Sequence, residues 1–203
     1  MKILFIFIVV FISGGCSLSP ETETSAAEEF TKSYLSSEKT AEDGYDLFES
    51  KTGGYTMLFP EDAVVSEHFG NEKRNDAFES IMYGYRLNGA SVSTRITYEN
   101  KPGTRDIQEK QRLLSVSAGY DGAYEVIQSK GKTIYFAEKR TVLKNSNGHV
   151  YLGFIKASDS GQAVEFTLNA RCKRDDQSCQ PPLKNTALKL MKSVQFNGRV
   201  NGT

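Results

Sequence analysis

The chain has 203 residues, 38% apolar and 25% charged, which suits one globular domain with appendages. Its formal charge is zero but unevenly placed: Ser17 to Ser50 holds nine acidic and two basic residues, a net of −7, and Lys51 to Thr203 sixteen acidic and twenty-two basic, a net of +6. No five-residue basic block occurs, which argues against nucleic acid as a partner, and the acidic stretch reads as a solvated leader to a mildly basic domain.

At the amino terminus Lys2 precedes an unbroken apolar run from Ile3 to Ile12. That run is about half of the ~20 residues that cross a bilayer, so it reads as the core of a signal peptide. Ser13, Gly14 and Gly15 follow, small residues open to a peptidase, and then Cys16. This ending resembles the lipobox of bacterial lipoproteins, with Ser13 at the place where an aliphatic residue is commonest. The resemblance implies cleavage before Cys16 and a diacylglyceryl group on its sulfur. Ordinary cleavage near Gly15, leaving an unlipidated secreted protein, is the alternative. Two acyl chains hold a protein stably on a membrane where one does not, so the expected location is extracytoplasmic, lipid-anchored to the bacterial cell membrane. Ser17 is not the aspartate that retains some lipoproteins at the inner membrane.

The expected division is a signal peptide over 1–15, an acidic tether over 16–44 and a globular domain over 45–203. Ser17 to Gly44 is rich in Ser, Thr and Glu and packs little core alone. Within it Ser25 and Glu28 resemble a capping box, and Phe30 and Tyr34 are four apart, which predicts a short helix over 25–36. If flexible, the tether reaches roughly 30 Å.

From Tyr45 onward hairpin punctuation dominates. A first strand is expected in GYTMLFP (Gly54 to Pro60) and a second in AVVSEHF. Next, IMYGYRL and SVSTRITYE flank Asn88-Gly89, a pair suited to the two positive φ angles of a type I′ turn. YEVIQ and TIYFAEKRTVL flank Lys130-Gly131; HVYLGFIKA follows a loop ending in Asn147-Gly148; AVEFTLNA follows Ser158 to Gln162. Residues 123 to 170 therefore predict a four-stranded meander, and the whole an antiparallel sheet of six to eight strands. Asp106 with Glu109 predicts a helix cap, Gly119 its end, and Ile107, Leu114 and Ala118 its inward stripe, interrupted by Gln111. Pro182 starts a last helix in which Leu183, Ala187, Leu190, Met191 and Val194 recur at helical spacing, and Asn197-Gly198 ends it. The expected fold class is α+β, with helices covering an antiparallel sheet.

GGYTMLFPEDAVV, an aromatic strand closing in proline, and LKLMKSVQF, a terminal helix running into a strand-like tail, resemble the PsbP-like α/β sandwich. That group includes the photosystem extrinsic protein, the Ran-binding Mog family and many bacterial lipoproteins. The resemblance spans about residues 51 to 197 and implies a domain that works by binding; it offers no catalytic residue to carry over.

Cys172 and Cys179 remain. An isolated pair outside the cytoplasm is most simply a disulfide, here closing an eight-residue loop worth about 2.5 kcal/mol in chain entropy. Redox catalysis commonly uses C-x-x-C, and zinc needs about four ligands, whereas His68 and His149 lie in unrelated segments. Both histidines read as surface residues, and Asp175-Asp176 as a solvated turn. No G-x-S-x-G, H-E-x-x-H or phosphate-loop motif is present, so no catalytic residue, metal site or cofactor is expected. Ile81, Tyr83, Tyr85 and Leu87 share one face of their strand and Met82, Gly84 and Arg86 the other, with Arg95 next door between Ser93 and Thr97. Arg86, Arg95, Tyr83 and Tyr85 are thus the candidates for holding an anionic group; the simpler reading packs the tyrosines under a helix and leaves the arginines in solvent. The leading functional expectation is a non-enzymatic binding or assembly module of the cell envelope with an envelope protein as partner. The alternatives are a binder of an anionic envelope polymer or lipid headgroup, and a hydrolase with an unrecognised site.

Overall fold

A computed structural model describes residues 20–38, 40, 42–174 and 179–198. Helix α1 (Pro20–Lys32) is followed by strands β1 (Tyr45–Glu49), β2 (Tyr55–Pro60), β3 (Val64–Val65), β4 (Glu72–Arg74), β5 (Phe78–Leu87) and β6 (Ala90–Asn100). Then come helix α2 (Ile107–Ala118), strands β7 (Glu125–Ser129), β8 (Lys132–Val142), β9 (Ser146–Ala157) and β10 (Gln162–Lys173), helix α3 (Gln180–Ser193) and strand β11 (Gln195–Phe196). The chain is α+β, as its strand and helix order predicts.

The eight-stranded antiparallel sheet runs β3-β5-β6-β10-β9-β8-β7, with β4 pairing the start of β5. Each hairpin follows from local chemistry. Asn88 and Gly89 both take positive φ, 47° and 81°, so β5 folds back on β6 with Leu87 opposite Ala90. Residues β7 to β10 form the expected meander. The β8–β9 turn sits earlier than Asn147-Gly148, closed by Leu143 N–H on the Ser146 carbonyl, so both of those residues are inside β9. Asn147 is buried there, its Nδ2 donating to the Arg174 carbonyl.

GYTMLFP is not part of this sheet. As β2 it pairs with β1 and β11 in a second, three-stranded sheet. The small sheet and α3 lie over the inner face of the large one, burying Phe48, Tyr55, Met57 and Phe59 against Ile81, Tyr83, Ile96, Tyr98 and Phe166. From α3 come Leu183, Ala187, Leu190 and Met191, the predicted stripe, all fully buried; each of the leucines and the methionine contributes about 1.5–3 kcal/mol. Gly153 of β9 lets α3 approach this closely: a Cβ there would lie 2.6 Å from Met191 Sδ. The helix ends at Ser193 rather than Asn197, because the chain turns extended at Val194 and enters β11.

The domain also begins earlier than Tyr45. Thr31 and Tyr34 are buried, and Phe30 and Leu35 pack on the core. Thr31 Oγ1 accepts from the Val65 N–H, Tyr34 stacks on Phe48 with centroids 5.5 Å apart, and Leu35 bridges to Phe48. Lys51 Nζ sits 3.8 Å from the Tyr34 ring centre, closing the β1–β2 turn onto the leader. The expected signal peptide and Cys16 lie outside the described residues.

Candidate functional site

The outer face of the large sheet is covered only in part. Helix α2 packs over β8 and β9 through Leu114, Ala137 and Leu152. The helix forms where Asp106 Oδ1 accepts the Glu109 N–H at 3.0 Å, and it stops where Gly119 turns left-handed at φ 58°. Its inward stripe is Ile107, Lys110, Leu114 and Ala118, so the position between the apolar residues is filled by a lysine. Lys110 Nζ donates to Glu99 Oε2 on β6 and, at 2.9 Å, to Glu165 Oε1 on β10, while Lys101 holds the other Glu99 oxygen at 2.5 Å. Burial works against the charged form of both partners. For Glu99, hydrogen bonds from Lys101 and Lys110 outweigh it and keep the carboxyl below its usual range; for Lys110, bonds to Glu99 and Glu165 raise the ammonium above its own. The carboxylates of Glu99 and Glu165 are thereby neutralised at the edge of α2.

Beyond α2 the face is open, and strand register sets its pattern. Arg86, Ser91 and Arg171 stand in one row across β5, β6 and β10; Gly84, Ser93 and Asn169 form the next; Met82, Arg95 and Thr167 the third. Arg86, Ser91, Ser93, Arg95, Asn169 and Arg171 are all exposed. A shallow depression of about 330 Å³ runs past Ser91, Ser93, Asn169 and Arg171. Among the described residues no carboxylate forms an ion pair with these arginines; Arg95 Nε reaches only Ser80 Oγ, at 3.5 Å.

The four residues singled out from sequence do not converge. Tyr83 and Tyr85 point inward, Tyr83 with its ring 4.8 Å from Phe59 and 6.1 Å from Tyr85, and burial pushes both phenols above their usual range. Arg86 and Arg95 point outward, because alternate residues of a strand face opposite sides. The tyrosines therefore belong to the core, and the partner that joins the arginines is Arg171. Its signal was present: Glu165, Thr167, Asn169 and Arg171 alternate with buried Phe166, Leu168 and Ala170. His149 also departs from expectation. It is buried on the inner face, where burial and then the Arg140 charge hold its pKa down. His68 is exposed. Cys172 and Cys179 are bonded, with Cα atoms 6.2 Å apart, and tie the end of β10 to the start of α3 inside the core.

A larger cleft of about 760 Å³ opens at the β7–β8 and β9–β10 turns beneath the end of α3. Its walls include Lys130, Lys132, Lys192, Asp159, Ser160 and Gln162. The last of these is buried and spends its amide on the Gly54 carbonyl, Tyr98 Oη and the Asn197 carbonyl. Lys132 is buried too, and its ammonium donates to the Lys192 and Val194 carbonyls, capping α3 with a cation where the helix dipole is negative. Burial lowers its pKa. Across the fold Glu79 is buried with Ser50 Oγ donating to it at 2.6 Å and the Lys51 N–H at 3.0 Å; burial raises its pKa despite these bonds. Among the described residues no group of three or more His, Cys, Asp or Glu is placed to hold a metal ion.

Comparison with known proteins gives a consistent relation. A Bacillus subtilis (strain 168) protein named "Putative lipoprotein YvcA" is 27% identical, over 96% of each chain. Among solved structures, the Saccharomyces cerevisiae Ran-binding protein Mog1p aligns over 74% of this chain and 94% of its own, with 10% identity and a TM-score of 0.47. A Bacteroides thetaiotaomicron protein aligns over 75% of this chain with 8% identity and a TM-score of 0.45; the aligned region spans 48% of that protein. The family described as "Putative lipoprotein YvcA" matches residues 21–195, from the first turn of α1 to the start of β11. The chain belongs to this YvcA–Mog1p family.

Proposed function

We propose that this chain is an extracytoplasmic lipoprotein, held on the bacterial membrane through Cys16, whose domain is a non-enzymatic binding module of the cell envelope. The observation that carries the binding role is the open half of the outer sheet face: a polar, arginine-bearing surface that the chain's own helices leave uncovered. The lipobox-like ISGGC sequence and the name of the Bacillus relative support the anchor. In the 760 Å³ cleft two polar side chains serve the fold: Ser160 Oγ donates to Gln162, and Lys132 caps α3.

Two measurements test the proposal. In growing cells a clickable palmitate analogue is expected to label the wild type and not Cys16→Ala; an unlabelled wild type overturns the anchor. A photo-crosslinking residue at Ser93 on the outer face is expected to trap an envelope component in cells, whereas one at exposed Asn185 on α3 is not. Adducts from Asn185 alone, or from neither position, overturn the assignment of the outer face.

A further inference from the structure

We infer that the open half of the outer face is a track for an extended anionic polymer whose charges are phosphodiesters; the inference rests on the binding-module role proposed above. Strands lie about 4.8 Å apart and alternate residues of a strand about 6.8 Å apart. In the observed register the Arg86 and Arg171 Cα atoms are therefore separated by about 10 Å, and Arg95 lies about 14 Å from each. Arg86 and Arg171 flank Ser91 in one row, within the reach of two guanidinium side chains on a single anion. Arg95 is two rows away, with Ser93 and Asn169 between, and takes a second anion.

That geometry fits a chain of repeated charges better than a lone phosphate or carboxylate. Guanidinium groups bind such oxyanions with paired N–H donors, which a point-charge ammonium does not match. The hydroxyls of Ser91 and Ser93 and the amide of Asn169 supply hydrogen bonds to the uncharged linkage between anions. Gly84, opposite Ser93, keeps the floor low. Lys110 and Lys101 already occupy Glu99, Lys110 also Glu165, and Arg74 occupies Glu72, so among the described residues these carboxylates are committed to other cations. Nucleic acid fits poorly: the rows carry no aromatic ring on which a base would stack.

The test uses the full chain, solubilised in non-ionic detergent, with synthetic poly(glycerol phosphate) as the probe and binding followed by calorimetry. Wild-type protein is expected to bind, with affinity falling about 20-fold between 50 and 200 mM salt, the dependence of roughly three phosphate contacts. Replacing Arg86, Arg95 and Arg171 together by Ala is expected to weaken binding at least about tenfold and to flatten the salt dependence. Each single variant removes about a third of the slope, and melting curves of these exposed-site variants check that the fold is kept. Lys130→Ala with Lys192→Ala, in the cleft, is expected to bind as the wild type does.

No binding by the wild type, or loss confined to the cleft variant, overturns the inference. So does equal binding of polyglutamate, which carries carboxylates only, or a preference for phosphatidylglycerol vesicles over the polymer. Because this assay contains no envelope, its failure alongside persistent crosslinks from Ser93 refutes the polyanion and leaves the binding-module role standing.

Discussion

Lys110→Met removes the cation that clamps α2 to the sheet while nearly conserving volume and flexibility. The Lys110 and Glu99 side chains are only 10% and 9% exposed, so two carboxylates would lose a partner at a poorly hydrated position. Breaking a buried pair from one side costs about 3–5 kcal/mol. Here Glu99 keeps Lys101 and Glu165 is 24% exposed, which brings the expectation down to about 2–4 kcal/mol. The sign with pH follows. The folded-state pKa of Glu99 is depressed, so the stability it contributes is present above its unfolded value and is lost as pH falls through the folded one. In the variant Glu99 loses that advantage and protonates more readily, so the penalty shrinks on acidification. Urea titrations followed by far-UV circular dichroism at pH 7 and pH 4 measure both quantities, since the chain has no tryptophan to report by fluorescence. Adding Glu99→Gln to Lys110→Met is expected to recover part of the loss. A loss below about 0.5 kcal/mol at pH 7, or an equal loss at both pH values, would refute the account of Lys110 as the charge that holds α2.

Three further outcomes are expected. Reducing Cys172–Cys179, or replacing both residues by Ser, lowers stability by about 2.5 kcal/mol through restored loop entropy, and alkylation mass shifts appear only after reductant. Glu79 has a raised pKa, so its contribution is fully present below the unfolded carboxyl value and is lost as pH rises through the folded one; Glu79→Gln, which still accepts from the Lys51 N–H, should abolish that decline in a pH series of melting temperatures. Lys132→Met strips two carbonyls at the end of α3 of their donor and is expected to cost about 1–3 kcal/mol, read by urea titration, with faster hydrogen exchange in the last turn of α3 and in β11.

What the sequence made legible was whatever the chain encodes over a few residues. Asn88-Gly89 defined its hairpin, Asp106 and Gly119 bounded α2, and the period-two alternation of β5 and β6 separated the tyrosine face from the arginine face. What it hid depends on partners distant in the chain. Nothing local tells β2 to pair with β1 and β11 instead of joining the large sheet, because the decision lies with the inner-face packing of Phe48 and Phe59. The stripe of α2 reads as interrupted by Gln111, whereas the polar residue that turns inward is Lys110, onto Glu99 and Glu165 of β6 and β10. Lys132, beside the Lys130-Gly131 turn, gains its role only because α3 ends above it. The tyrosines were grouped with Arg86 and Arg95 by proximity along the chain, whereas Arg171, about seventy-five residues beyond Arg95, completes the row only through the β6–β10 register.

The docking of α1 changes what an anchor at Cys16 would do. A free leader of about thirty residues lets a domain wander over roughly 30 Å and sample every orientation. Here Thr31 and Tyr34 are fixed in the domain, and α1 runs back from them as a helix to Pro20, about 20 Å of rigid length. Only three residues, Ser17 to Ser19, separate the helix from Cys16, and the four Cα–Cα steps between them span at most about 14 Å. An anchor at Cys16 would therefore lie a short chain distance from a helix that is itself docked on the domain at Thr31, and would hold the domain nearer the membrane than a free leader of about thirty residues. The sequence of α1 carries four glutamates, Glu21, Glu23, Glu28 and Glu29, which share the sign of anionic headgroups. An arginine face held close to the membrane would be placed to meet an anionic polymer there, which is the arrangement the proposed binding role requires.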